Sequence, residues 1–117
     1  MNIIALSPVY GRPDEYYQDK LRYLHPYLPS FVNIQYRPLP CGFPFIESEY
    51  HAASNSAALL EQVEKASKEK NVDGIFIDCF DDPAVTAARE ISPLPVCGPY
   101  DASIKTASLI SSDIGII

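Results

Sequence analysis

The segment Asp73-Gly74-Ile75-Phe76-Ile77-Asp78-Cys79-Phe80-Asp81-Asp82-Pro83 carries an apolar run straight into a thiol. It reads as a buried parallel strand, a short loop, and a helix opened by proline. In open α/β sheets, ligands bind in the crevice beyond the carboxyl ends of the strands, and Cys79 falls there. A thiol with a reference pKa of about 8.5 is slightly ionised near neutral pH and serves as a base, an acid or a nucleophile. The N–H groups at the start of the following helix favour the thiolate. The carboxylates of Asp78, Asp81 and Asp82 oppose it, although Asp82 before Pro83 fits a helix cap. The sequence leaves that balance open. The same N–H groups would hold a carboxylate or imide-like oxygen and stabilise enolate charge, with Phe80 and Asp81 as wall and floor of the pocket. The plain alternative is a buried structural thiol, since free cysteine is among the most buried residue types.

Other polar residues offer less. Ser7 and Pro8 end the first apolar run, either as a strand terminator or as substrate contacts at the sheet's carboxyl edge. Ser48 follows Glu47 ahead of a helix, where local backbone bonding competes with substrate contact. Cys97 closes a short strand and reads as packing, while Cys41 lies in a proline-rich loop and is assigned no role. His25 and His51 read as solvated. No Cys/His spacing suits zinc, so no metal is expected, and no G-x-G-x-x-G or P-loop implies a nucleotide. A low-molecular-weight phosphatase would need an arginine at the sixth position after its cysteine, where Val85 stands. A response-regulator receiver would need acids after its first strand, where Ser7-Pro8 supplies none.

The elements that would position Cys79 alternate along the chain. Ile3 to Leu6 form a first strand. A helix begins near Pro13-Asp14-Glu15 and stops before Pro26, with tyrosines 16, 17, 23 and 27 divided between core and surface. Phe31 to Tyr36 alternate as a second strand, and the proline-rich run from Leu39 to Ile46 reads as a loop. A helix from about Ser56 to Lys70 places Leu59, Val63 and Ala66 on one face. Gly74 to Asp78 is a third strand, followed by a helix from Asp82-Pro83 through about Ile91. Pro95-Val96-Cys97 is a fourth strand. Asp101 to Ile110 is a helix with Ile104, Ala107 and Ile110 inward, and Ile114 to Ile117 is a fifth strand in which the sequence stops. The expectation is a three-layer α/β domain over residues 1–117, with a mainly parallel sheet, right-handed crossovers and helices on both faces.

The bulk properties agree with one such domain. The chain has 117 residues, 47% hydrophobic and 21% charged, enough for a packed core. Its formal net charge is -6 without a basic cluster, which argues against nucleic acid, whose phosphates need a positive face. The apolar start lacks a basic n-region and reads as a strand, not a signal peptide. No run approaches the about 18 apolar residues of a membrane span. The 3 cysteines, without a pairing framework, suggest reduced thiols and a cytoplasmic protein.

These residues resemble the aspartate/glutamate racemase superfamily, and within it the hydantoin and allantoin racemases. The resemblance rests on Phe45-Ile46-Glu47-Ser48 and on Val72 through Pro83. It continues through Ala87-Ala88-Arg89-Glu90, Pro95-Val96-Cys97-Gly98 and Thr106-Ala107-Ser108-Leu109. It covers roughly residues 45 to 117, and the first 44 match only loosely. It implies the flavodoxin-like half of an enzyme of two α/β domains with a cleft between them. Each domain supplies one cysteine, and the pair works without a cofactor on opposite faces of a carbon acid. Cys79 matches the cysteine of the amino-terminal domain, and the second would belong to a carboxyl-terminal domain that this sequence does not contain. The family's first strand commonly ends in an Asn-Pro-Asn-Thr type loop. Here Pro8 keeps the proline and Ser7 replaces the first asparagine, so substrate identity is open among hydantoins, allantoin and acidic amino acids. The segment from Pro13 to Pro29 has no counterpart in the resemblance.

The expected function is therefore a racemase or isomerase acting on a small-molecule carbon acid. Maleate isomerases and arylmalonate decarboxylases are relatives that reuse the cleft. The isolated chain would lack normal turnover and would either need the missing domain or self-associate. The competing reading is a non-catalytic, flavodoxin-like binding module, in which Cys79 would be dispensable.

Overall fold

A computed structural model describes residues 1–117. Strand β1 (Asn2–Tyr10) lies inside the sheet between β2 (Asn33–Leu39) and β3 (Gly74–Ile77), and β4 (Val96–Cys97) pairs beyond β3. All three pairings are parallel, giving the order β2-β1-β3-β4. Helices α1 (Asp14–Leu24), α2 (Glu49–Ser67), α3 (Val85–Ile91) and α4 (Pro99–Ser108) alternate with the strands. Parallel neighbours need such crossovers, and the central strand is buried because helices cover the sheet.

The register sorts residues between the two faces. Ile4 pairs with Gln35 and Ile75, Leu6 with Arg37 and Ile77, and Val96 with Ile75. With Leu39 these apolar side chains meet Leu59, Val63 and Ala66 of α2 and Val85 and Ala88 of α3 in one continuous core. Arg37 shares that face at the sheet edge and reaches Glu69 beyond α2 in a two-pronged ion pair of 2.6 and 2.9 Å. On the other face α1 lays Tyr17 against Tyr36, ring centroids 5.4 Å apart and nearly parallel. Farther along, Ile3, Ile34 and Phe76 line an apolar hollow of about 580 Å³ with Leu28, Phe31 and Val32.

Several boundaries differ from the sequence reading. β1 runs to Tyr10 because its register shifts between Ser7 and Tyr10, which lets the strand pass Pro8, a residue with no N–H to donate. α2 begins at Glu49, since Ser48 caps it by accepting the His51 N–H, well before Ser56. The expected fifth strand is absent: residues 114–117 are exposed and pair with nothing, as the sheet ends at β4. α4 starts at Pro99, and Ile110 lies past its end, 88% exposed, where it was expected to face inward. Cys97 is exposed and not packed, because it points from an edge strand into the apolar hollow. Of the four tyrosines assigned to one helix, Tyr17 is buried, Tyr16 and Tyr23 are exposed, and Tyr27 falls in a 3-10 turn at His25–Tyr27. No helix is long and apolar enough to cross a membrane.

Candidate active site

The parallel pairing of Leu6 with Ile77 sets the carboxyl end of β3 beside the stretch of β1 that continues through Ser7 and Pro8. The Asp78 N–H donates to the Leu6 carbonyl at 2.9 Å, one step beyond the last ladder pair. Asp78-Cys79 thus leave the sheet alongside Ser7-Pro8, which stay within β1. They line a cavity of about 310 Å³ with Arg12, Lys20 and the loop Phe45-Ile46-Glu47. Ser7 is 3% exposed, Pro8 is fully buried, and Cys79 is half-buried.

The thiol loop is held from two sides. The Cys79 carbonyl accepts from Asp82 N–H at 2.9 Å, closing a tight turn. The Asp82 carboxylate then accepts from the backbone N–H groups of Tyr100 and Asp101, at 3.1 and 2.8 Å, at the start of α4. Next to this tie, Phe80 meets the Tyr100 ring edge-on at 5.5 Å. Asp82 was expected to cap the helix that follows it. It caps α4 instead, because the turn places Asp82 in the left-handed region at φ 47° and directs its carboxylate across to β4's exit. α3 starts only at Val85, behind a left-handed Ala84, and has no side-chain cap.

Burial first, then the charges of Asp81, Asp78 and Asp82, push the Cys79 thiol above its ordinary value of 9.0, against the backbone N–H of Asp81, which favours the thiolate. Beside the thiol, Lys20 of α1 pairs with Asp78, and its Nζ lies 5.1 Å from the Tyr16 ring centroid and 5.7 Å from that of Tyr36. Burial opposes the Lys20 charge, but the Asp78 carboxylate outweighs it and holds the ammonium above its usual value. Tyr36 is pushed up strongly by burial and by the same carboxylate.

Of the residues singled out from sequence, Ser7, Pro8 and Cys79 come together. Ser48 stays outside the cavity with its hydroxyl engaged as the α2 cap, Phe80 turns toward Tyr100, and Asp81 contributes its backbone N–H. Asn55 was missed. It is 1% exposed, and its side chain accepts from Phe43 N–H at 2.8 Å and donates to the carbonyls of Pro8 and Phe43 at 2.9 and 3.1 Å. It fixes the path of the 40–47 loop against the end of β1, and so shapes one cavity wall. The signal was present: Asn55 interrupts the buried stripe Ala52, Leu59, Val63, Ala66 of α2. Gly42, at φ +126°, lies so close that a Cβ there would meet Asn55 Oδ1 at 2.5 Å. Lys20 was also missed, lying in the segment that the resemblance did not reach.

The thiol thus sits at the carboxyl edge of a parallel sheet, in a loop tied to α4. The chain belongs to the Asp/Glu/hydantoin racemase family, whose model matches residues 14–117. It is 33% identical over 76 residues to a hydantoin racemase of Paenarthrobacter aurescens, a match covering 65% of this chain and 32% of that protein. It is 32% identical over 72 residues to a hydantoin racemase of Pseudomonas sp. (strain NS671), covering 62% of this chain and 28% of that one. The allantoin racemase from Klebsiella pneumoniae superposes with a TM-score of 0.79 at 27% identity, over 93% of this chain and 43% of that one. The chain thus spans less than half the length of the relatives it matches.

Proposed function

We propose that these residues form the amino-terminal half of a racemase active site, in which Cys79 exchanges the proton of a small carbon acid without a cofactor. The observation that carries this reading is the placement of Cys79, just past the carboxyl end of β3, with Ser7 and Pro8 of the adjacent β1 in one cavity. The substrate carbon acid is a 5-substituted hydantoin, allantoin or an acidic amino acid, in keeping with the relatives. As a thiolate, Cys79 takes the proton next to the carbonyl and leaves an enolate. As a thiol, it returns one to the same face. Inversion needs a second acid/base group on the opposite face, supplied from outside these 117 residues.

A thiol pushed above its ordinary value is a weaker acid, and its thiolate is a stronger base that forms mainly at alkaline pH. Exchange therefore rises as pH increases toward the Cys79 value. Ser7 offers a buried hydroxyl to a substrate oxygen, and Asp81 N–H stabilises the charged sulfur.

The test is deuterium wash-in from heavy water into a single enantiomer of each candidate substrate, followed by mass spectrometry and chiral chromatography. The expected outcome is slow exchange with retained configuration, lost in Cys79→Ser. Exchange that survives Cys79→Ser refutes the assignment of Cys79. Racemisation by the 117 residues alone refutes the need for an outside group.

A further inference from the structure

We propose that Lys20 is a positioning residue for Cys79: by pairing with Asp78 it holds that carboxylate on the α1 side of the cavity and offsets part of its charge at the thiol. This rests on the reading of Cys79 as the proton-transfer group. Asp78 immediately precedes Cys79 and cannot leave it, because its N–H is bound to Leu6. Both the Lys20 and Asp78 side chains are largely covered, at 32% and 18% exposure, so bulk water screens the carboxylate poorly.

The cation is bracketed on several sides. Asp78 takes its charge, the rings of Tyr16 and Tyr36 flank its ammonium, and α1 anchors its stem. Tyr16 and Lys20, one helical turn apart, form one face of α1 over the cavity. The carboxylate is therefore accompanied by a counter-ion that burial alone would have disfavoured.

The remaining charges around the thiol come from other elements. Asp81 and Asp82 lie on its own loop, and Asp82 is committed to α4. Arg12 lies ahead of α1, with its guanidinium 5.6 Å from the Tyr16 centroid, and Glu47 lies across the cavity on the loop before α2. Neither makes an ion pair within 4.0 Å, whereas Lys20 and Asp78 do. Removing Lys20 leaves Asp78 as a bare carboxylate beside Cys79. A unit charge within about 4–6 Å moves a titration by about one pH unit or more.

The test uses Cys41→Ser/Cys97→Ser, in which Cys79 is the sole thiol, and follows iodoacetamide alkylation across neutral and alkaline pH. In that background Lys20→Met is expected to raise the alkylation midpoint by about one pH unit, a roughly tenfold loss of rate at fixed neutral pH. Lys20→Arg restores the original midpoint. Adding Asp78→Asn to Lys20→Met abolishes the upward shift. An unmoved midpoint in Lys20→Met, or the same upward shift with Asp78→Asn present, overturns the proposal. If Lys20→Met does not fold, Lys20→Gln decides by the same readout: a raised midpoint supports the pairing role and an unmoved one overturns it. The readout is thiol titration and not turnover. A racemase reading refuted by Cys79→Ser leaves this coupling measurable, and an unmoved midpoint leaves the racemase reading standing.

Discussion

Gly98→Ala should loosen the thiol loop without touching it. A Cβ at residue 98 would lie 2.5 Å from Cγ of Asp82, 2.9 Å from its Oδ2 and closer still to Oδ1. Carbon does not approach so closely, so the carboxylate must leave the start of α4. Two charge-assisted hydrogen bonds go with it, to Tyr100 N–H and Asp101 N–H. Losing a helix cap of this kind costs about 1–2 kcal/mol. For a domain of this size, that loss lowers Tm by roughly 4–8 °C. Thermal and urea unfolding followed by far-UV circular dichroism measure it. Asp82→Ala should lose the same cap on its own. Because it also removes the obstructing carboxylate, Gly98→Ala should then cost less than about 0.5 kcal/mol more. Wild-type stability in Gly98→Ala would refute this reasoning, as would an equal cost of Gly98→Ala with and without Asp82.

Asn55→Ala should cost about 2–3 kcal/mol, because Phe43 N–H and the Pro8 carbonyl lose their partner while covered. A lower urea midpoint at unchanged slope would confirm this, and a neutral result would contradict it. Arg37→Met should cost about 0.5–1 kcal/mol at neutral pH, the discounted value of a partly exposed two-pronged pair. Arg37 holds the Glu69 carboxyl below its usual 4.5, so the folded state binds its proton less tightly than the unfolded one. The contribution is full above the usual carboxylate range and fades as pH falls through the lowered value. Stability curves of Arg37→Met and wild type should therefore converge in acid, and a difference independent of pH would exclude the pair as its source.

The alternation of strands and helices was legible because Ile3 to Leu6 of β1 and all of β3 are unbroken apolar runs and α2 repeats its apolar residues at helical spacing. Cys79 was legible for the same reason: the strand before it ends sharply. The final residues misled because Ile114-Gly115-Ile116-Ile117 has the composition of a buried strand, whereas strandhood requires a neighbour and β4 offers none here. Asp82 misled more instructively. Asp-Pro before a helical pattern is a good local cap, but the turn after Cys79 rotates the carboxylate away from α3, and it accepts instead from the N–H of Asp101 in α4, 19 positions on. Such a partner is not encoded in local spacing. Lys20 and Asp78 are likewise 58 positions apart, and only the closing of α1 over the sheet makes them neighbours. Asn55 was readable in principle as a polar residue on a buried stripe, yet what it binds is backbone, which leaves no complementary side-chain signature.

That last property bears on how such a pocket can change its substrate. Asn55 reads the 40–47 loop entirely through main-chain atoms, at Phe43 N–H and at the carbonyls of Phe43 and Pro8. The route of the loop is therefore indifferent to most of the side chains it carries. Ile46 and Glu47, which face the cavity, can vary in size and charge while the frame that presents them stays fixed, whereas Phe45 also packs on Phe43 and His51 and its replacement gives up those ring contacts. A specificity library confined to Ile46 and Glu47 would reshape the chamber beside Cys79 and leave both Asn55 and Gly42 untouched, so altered substrate preference need not be accompanied by lost stability.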